Sequence, residues 1–182
     1  MTTIACEQKA NFHALLASDG RSPEIPESAD AYGWLVGDWE LDVLHYWGLD
    51  VAARGIKGEV HAGWVLEGHA VQDVWIMPRQ SERTKTLDKH MNMYGTTLRA
   101  WDAAAGAWRI TWSNPAGNHF EEQIGRRNGK DVVQIGTRPD GTATRWTFTE
   151  ITTDSFHWRG EALPAGGNTW KLEGEFRAKR TR

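Results

Sequence analysis

Only one cysteine, Cys6, occurs in the chain. No internal disulfide can form, so packing has to supply the stability, and a reducing, cytoplasmic setting is the expectation. No apolar run is long enough to cross a bilayer, and the first residues carry no charged-then-apolar leader. A dominant charge is missing as well. The formal net charge is -3 over 182 residues, without the basic footprint of a nucleic-acid binder. There is no Gly-x-Ser-x-Gly elbow, no glycine-rich phosphate loop and no histidine pair at the short spacing of a familiar zinc site. Seven residues separate His61 from His69 across a turn, with His61 on a polar face. The expectation is therefore no nucleic acid, no membrane and no metal, and no catalysis by a serine or cysteine nucleophile.

Tryptophan is what the chain has in excess: eleven copies, spread along its length. Indoles suit pleated surfaces and fill large volumes, and their N–H needs a partner when buried. Two readings follow: a core packed with large side chains, or an aromatic-lined cavity for a flat or apolar ligand.

The stretch Gly37–Trp47 reads as a long first strand, with Trp39, Leu41, Val43, His45 and Trp47 on one face. Before it, residues 5–18 have helical composition with Phe12, Leu15 and Leu16 on one side, and residues 20–31 form a proline-bearing connector. After it come segments of strand character at 58–66, 69–77, 92–101, 107–113, 119–126, 131–137, 142–151, 156–162 and 168–177. Short turns join them, Asn128-Gly129 being the best two-residue hairpin signal. The polar segment 78–90 is the longest interruption, either a mobile edge or a plain solvated loop. The expected fold is a single all-β domain: residues 1–32 a short N-terminal helix and connector, residues 33–182 an antiparallel up-and-down barrel of about ten strands, closed to avoid open edges.

Gly37-Asp38-Trp39 resembles the Gly-x-Trp that begins the first strand of lipocalins and other calycins. The resemblance implies a basic residue near the end of the last strand lying across the tryptophan at the closed end, with Arg177 in that role or, failing that, Lys179 or Arg180. Trp64-Val65-Leu66-Glu67-Gly68, Tyr94-Gly95 to Trp101-Asp102, and Phe156–Glu161 with Gly166–Trp170 are similar to a group of small bacterial lipocalin-like proteins classed as a domain of unknown function, over residues 33–180. Gly166–Trp170 also resembles a degenerate sialidase-type aspartate-box turn, with Ala165 where an aspartate would stand, and is read as hairpin chemistry only. Nitrobindins are lipocalin-like barrels that hold haem through a late-strand histidine. His157 is on a late strand, but alternation with Phe156 and Trp158 turns it outward. No cofactor is expected, with haem the lesser alternative.

If Trp39 faces inward, alternation carries His45 and Trp47 inward toward the far end. Phe120, Glu122 and Ile124 share a face, as do Met93, Arg99 and Trp101. Glu122 and Arg99 then read either as a buried structural pair or as a catalytic acid and its anchor, with Arg145 and Arg159 as other partners. Tyr94 has the opposite parity to Arg99, and Gln72 and Asp73 conflict in the same way. The expected cavity lining is His45, Trp47, Trp75, Arg99, Trp112, Glu122 and Trp146. The expected function is binding of a small apolar or aromatic molecule. The alternative is a cofactor-independent cyclase, isomerase or lyase with His45 or Glu122 shuttling a proton and Arg99 steadying an oxyanion. A barrel filled by its own tryptophans is a third reading. Open strand edges would also suit a homodimer.

Overall fold

A computed structural model describes residues 11–84 and 91–181. Helix α1 is short, Phe12–Leu16, and Asn11 caps it by accepting the His13 amide at 3.1 Å. The strands are β1 Gly37–Tyr46, β2 Leu49–Asp50, β3 Lys57–Val65, β4 Ala70–Met77, β5 Met93–Asp102, β6 Ala107–Asn114, β7 His119–Asn128, β8 Asp131–Thr137, β9 Ala143–Thr149, β10 Ser155–Leu163 and β11 Lys171–Arg180. Apart from β2, each pairs antiparallel with the strands before and after it, and β11 returns to pair with β1 from Trp39↔Arg180 to Tyr46↔Gly174. Ten strands therefore close into a ring, and β2 is an added strand on the end of β1. Closure pairs the edges whose exposure suggested a homodimer.

One end is sealed by the connector. Ile25, Ala31, Tyr32 and Leu35 from that segment are fully buried in the core cluster. The indole N–H groups here have backbone partners: Trp34 donates to Ala31 O at 2.7 Å, Trp39 to Leu35 O at 2.7 Å and Trp108 to Ala29 O at 2.9 Å. Arg180 is the basic residue over Trp39, its guanidinium carbon 4.0 Å from the ring centroid, and it donates to Val36 O and Trp34 O at 2.7 Å each. Rings meet edge to face through this end, with Trp39–Phe156 centroids 4.9 Å apart and Tyr32–Trp108 5.2 Å.

Four expectations about facing need correction. Residues 1–10, part of the expected helix, lie outside the described residues. Within α1, Phe12 and Leu15 are exposed, because five residues offer no apolar stripe wide enough to dock. In β1 the register shifts between Val43 and His45, so Leu44 is the extra residue: His45 opposes Glu175 and Tyr46 opposes Gly174. Tyr46 thus turns inward in place of His45. In β7 the inward residues are Glu121, Gln123 and Gly125, and Phe120 and Glu122 are exposed. Gly125 fixes that parity, since a Cβ there would stand 2.2 Å from Tyr32 Oη and 2.6 Å from Ile110 Cδ1. Finally, alternation sets Trp170, Leu172 and Phe176 together against Phe156 and Trp158, but β11 skips Glu173 between Gly160↔Gly174 and Glu161↔Leu172, which puts Leu172 on the opposite face from Phe176.

Candidate functional site

The other end holds a cavity of about 60 Å³ that opens to solvent. Its wall is mainly aromatic: Tyr46 and Trp47 at the end of β1, Trp75 on β4, Trp112 on β6, Trp146 on β9, Trp158 on β10 and Phe176 on β11. Strand alternation brings these side chains to one interior, and small residues make room for the rings. A Cβ at Gly95 would meet Trp112 Cη2 at 2.3 Å, and one at Gly160 would meet Trp158 Cη2 at 2.5 Å. Trp158 stacks on Phe176 with centroids 5.0 Å apart at 19°, and Trp146 meets Trp158 edge-on at 5.5 Å.

Trp47 crosses the mouth. Going round the ring from β1 by β3, β4, β5 and β6, or by β11, β10, β9 and β8, reaches β7 after the same number of strands. Trp47 of the β1–β2 turn nonetheless meets His119 of β7, with centroids 4.9 Å apart at 70°. Its backbone has φ 46° and Gly48 follows at φ 79°, the two positive angles that a tight hairpin turn demands. The Trp47 amide donates to Glu173 O at 2.6 Å.

The polar groups at and behind the wall fall into two sets, of which Thr97, Arg99, His119 and Glu173 line the cavity itself. In the first, Asp73 and Arg99 form a fully buried ion pair from β4 and β5, and Asp73 Oδ1 also accepts the Thr97 amide at 2.9 Å. The Arg99 guanidinium carbon is 5.1 Å from the Tyr32 ring centroid and 5.9 Å from that of Phe148. Burial pushes the Tyr32 hydroxyl well above its usual range; Arg99 opposes the shift, Asp73 adds to it, and the phenol stays protonated.

The second group is a chain of hydrogen bonds leading out to the rim. Gln134 Nε2 donates to Gln123 Oε1 at 3.0 Å, and Gln123 Nε2 donates to Thr144 Oγ1 at 3.1 Å. Thr144 then donates to Glu121 at 3.4 Å. Arg138 donates to Glu121 at 2.6 Å and forks onto Glu173 at 2.9 and 2.7 Å. Burial alone would raise the Glu121 carboxyl, but hydrogen bonds from His119 and Arg138 outweigh it and hold the group below the usual carboxylate range. Trp112 Nε1–H donates to His119 Nδ1 at 3.2 Å, so the ring proton sits on Nε2, where it donates to Glu121 Oε1 at 2.9 Å. Both imidazole nitrogens are engaged.

Of the residues expected to line the cavity, Trp47, Trp75, Arg99, Trp112 and Trp146 do so. His45 and Glu122 do not, for the reasons of register given above. Arg99 pairs with Asp73 and not with Glu122, which resolves the Gln72/Asp73 conflict in favour of an inward Asp73. Arg145 instead pairs with Glu161 at 2.8 Å. Tyr46, His119 and Glu173 line the cavity without having been singled out. The pattern His119-x-Glu121 was the available signal for His119, while the bulges that place Tyr46 and Glu173 leave no compositional mark.

No protein-family model and no curated protein matches the chain. Among the described residues, no group of three or more His, Cys, Asp or Glu side chains is arranged to hold a metal ion. His61 bonds Asp38 at 2.7 Å and His69 bonds Glu24 at 3.1 Å, so the two imidazoles serve separate ion pairs. His157 bonds Glu175 at 2.7 Å and lies near Glu150, two groups that face away from the barrel interior. No helix among the described residues is long and apolar enough to cross a membrane.

Proposed function

We propose that the protein binds a small, largely apolar or aromatic molecule in the tryptophan-lined cavity. The observation that carries this is the contrast between the barrel's two ends. The connector and Arg180 seal one end, whereas the other keeps an aromatic-walled space open to solvent.

The lipocalin-like reading of the chain belongs here too. It is supported by the ring topology and by the arginine across Trp39.

The enzyme reading has less behind it. His45 and Glu122 are outside the cavity, and the histidine that lines it, His119, has no free lone pair for a general base.

Titration with N-phenyl-1-naphthylamine, a neutral fluorescent probe, tests the binding reading. Saturable one-to-one binding with a blue-shifted emission, weakened severalfold in Trp146→Ala, is the expected outcome. Absence of saturable binding, or binding indifferent to Trp146→Ala, would overturn it.

A further inference from the structure

Two residues of the cavity wall carry hydrogen-bond donors with no acceptor among the described residues. Trp75 is 4% exposed and Arg99 1% exposed, both line the cavity, and Trp75 Nε1 and Arg99 Nε are buried and unpaired. The other indole of the wall with a known partner, Trp112, donates to His119, and the indoles at the sealed end donate to backbone carbonyls. Buried N–H groups left unpaired are costly, so sites of this kind are completed by whatever enters them.

The charge around these donors decides what kind of acceptor completes them. Arg99 is neutralised by Asp73, so the wall there offers N–H groups without net positive charge. Glu173 of the lining and the buried Glu121 behind it share the guanidinium of Arg138, leaving an excess of one negative charge. An anionic ligand would enter past that excess and find no unmatched cation inside. A neutral oxygen is the acceptor that fits, and the ring-lined wall above it fits an aromatic body.

We infer that the cavity's occupant is a neutral aromatic molecule bearing a carbonyl-type oxygen, inserted oxygen first, with that oxygen accepting from Trp75 Nε1–H and Arg99 Nε–H. The inference rests on the ligand-binding reading above and specifies the chemistry of the molecule bound.

Two probes of the same shape test it: 2-acetylnaphthalene, and 2-isopropenylnaphthalene, in which a methylene replaces the carbonyl oxygen. Each is titrated into the full chain by tryptophan fluorescence. The indole N–H resonances are followed by ¹H–¹⁵N NMR, with Trp75 assigned through Trp75→Phe. The ketone is expected to bind about tenfold tighter although it is the more water-soluble probe, and only the ketone moves the Trp75 indole proton downfield. Trp75→Phe and Arg99→Lys, which each delete one donor, are each expected to reduce the preference to threefold or less. Should Trp75→Phe fail to fold, Arg99→Lys and the single wild-type indole that responds to the ketone alone still decide the matter. Equal affinities, or a ketone preference that survives both substitutions, would overturn the assignment of the donors and leave ligand binding standing. If neither probe binds, the cavity reading falls with it.

Discussion

Arg99 and Asp73 place two opposite charges on neighbouring strands where neither reaches solvent. The cost of removing both charges from water largely cancels their attraction, so the pair contributes little as a unit, yet either charge alone would be strongly unfavourable. Arg99→Met is therefore expected to lower unfolding free energy by about 3–5 kcal/mol in urea denaturation. Arg99→Met with Asp73→Asn should recover most of that loss, because the amide keeps an acceptor for Thr97 N–H without leaving a charge. A double variant as unstable as the single one would mean that the guanidinium's packing on Tyr32 and Phe148 dominates. Glu121 makes a prediction about pH. Its folded-state carboxyl titrates below the ordinary value of 4.5, so its contribution is complete above that value and is lost as pH falls through and below it. The denaturation midpoint should decline on acidification below pH 4.5, and Glu121→Gln should flatten part of the decline.

Among the elements, β7 shows where sequence pattern and structure part. Its parity turns on Gly125, which has room only for a hydrogen against Tyr32 Oη and Ile110. Gly125→Ala is expected to cost about 1–3 kcal/mol by overpacking. Because the Tyr32 hydroxyl is buried without a partner, Tyr32→Phe should be tolerated and should relieve the alanine variant. Calorimetry of the two singles and the double forms the cycle that checks this. The strands and turns themselves were legible: every strand segment read from alternation and turn residues is present within a few positions, β2 being the one addition. Side-chain direction was not always so. Phe120 and Ile124 argue for one face by hydrophobicity, but Gln123, Gln134 and Thr144 hydrogen-bond to one another inside the barrel, which offsets much of the cost of the polar parity even with Gln134 Oε1 left over. Bulges at Leu44 and before Gly174 reverse the parity of His45 and Leu172 by inserting a residue, and nothing in composition announces an insertion. Arg99 was legible as an inward charge, whereas its partner was not, since choosing between Gln72 and Asp73 requires the β4–β5 register.

Taken whole, the barrel is asymmetric along its axis. One end is built from hydrogen-bonded indoles and a connector that fills the interior, and the other from indoles arranged around space. Tryptophan abundance left open whether the interior would be solid or hollow, and the structure contains both, one at each end. The β1–β11 ladder runs from Trp39↔Arg180 at the sealed end to Tyr46↔Gly174 at the unfilled one. Across the unfilled end lies Trp47, 42% exposed, in a left-handed conformation that costs a bulky residue on the order of 1 kcal/mol. Trp47→Gly removes that cost but also gives up the indole's packing on His119 and adds the unfolded-state freedom of glycine, so it is expected to lower the melting temperature. The same substitution should shorten the dwell time of a bound probe more than tenfold in stopped-flow displacement, while on- and off-rates rise together and affinity changes less. If the cavity holds a ligand as proposed, a tryptophan lying across its mouth in a strained backbone would set how long that ligand stays, separately from how tightly the chamber beneath holds it.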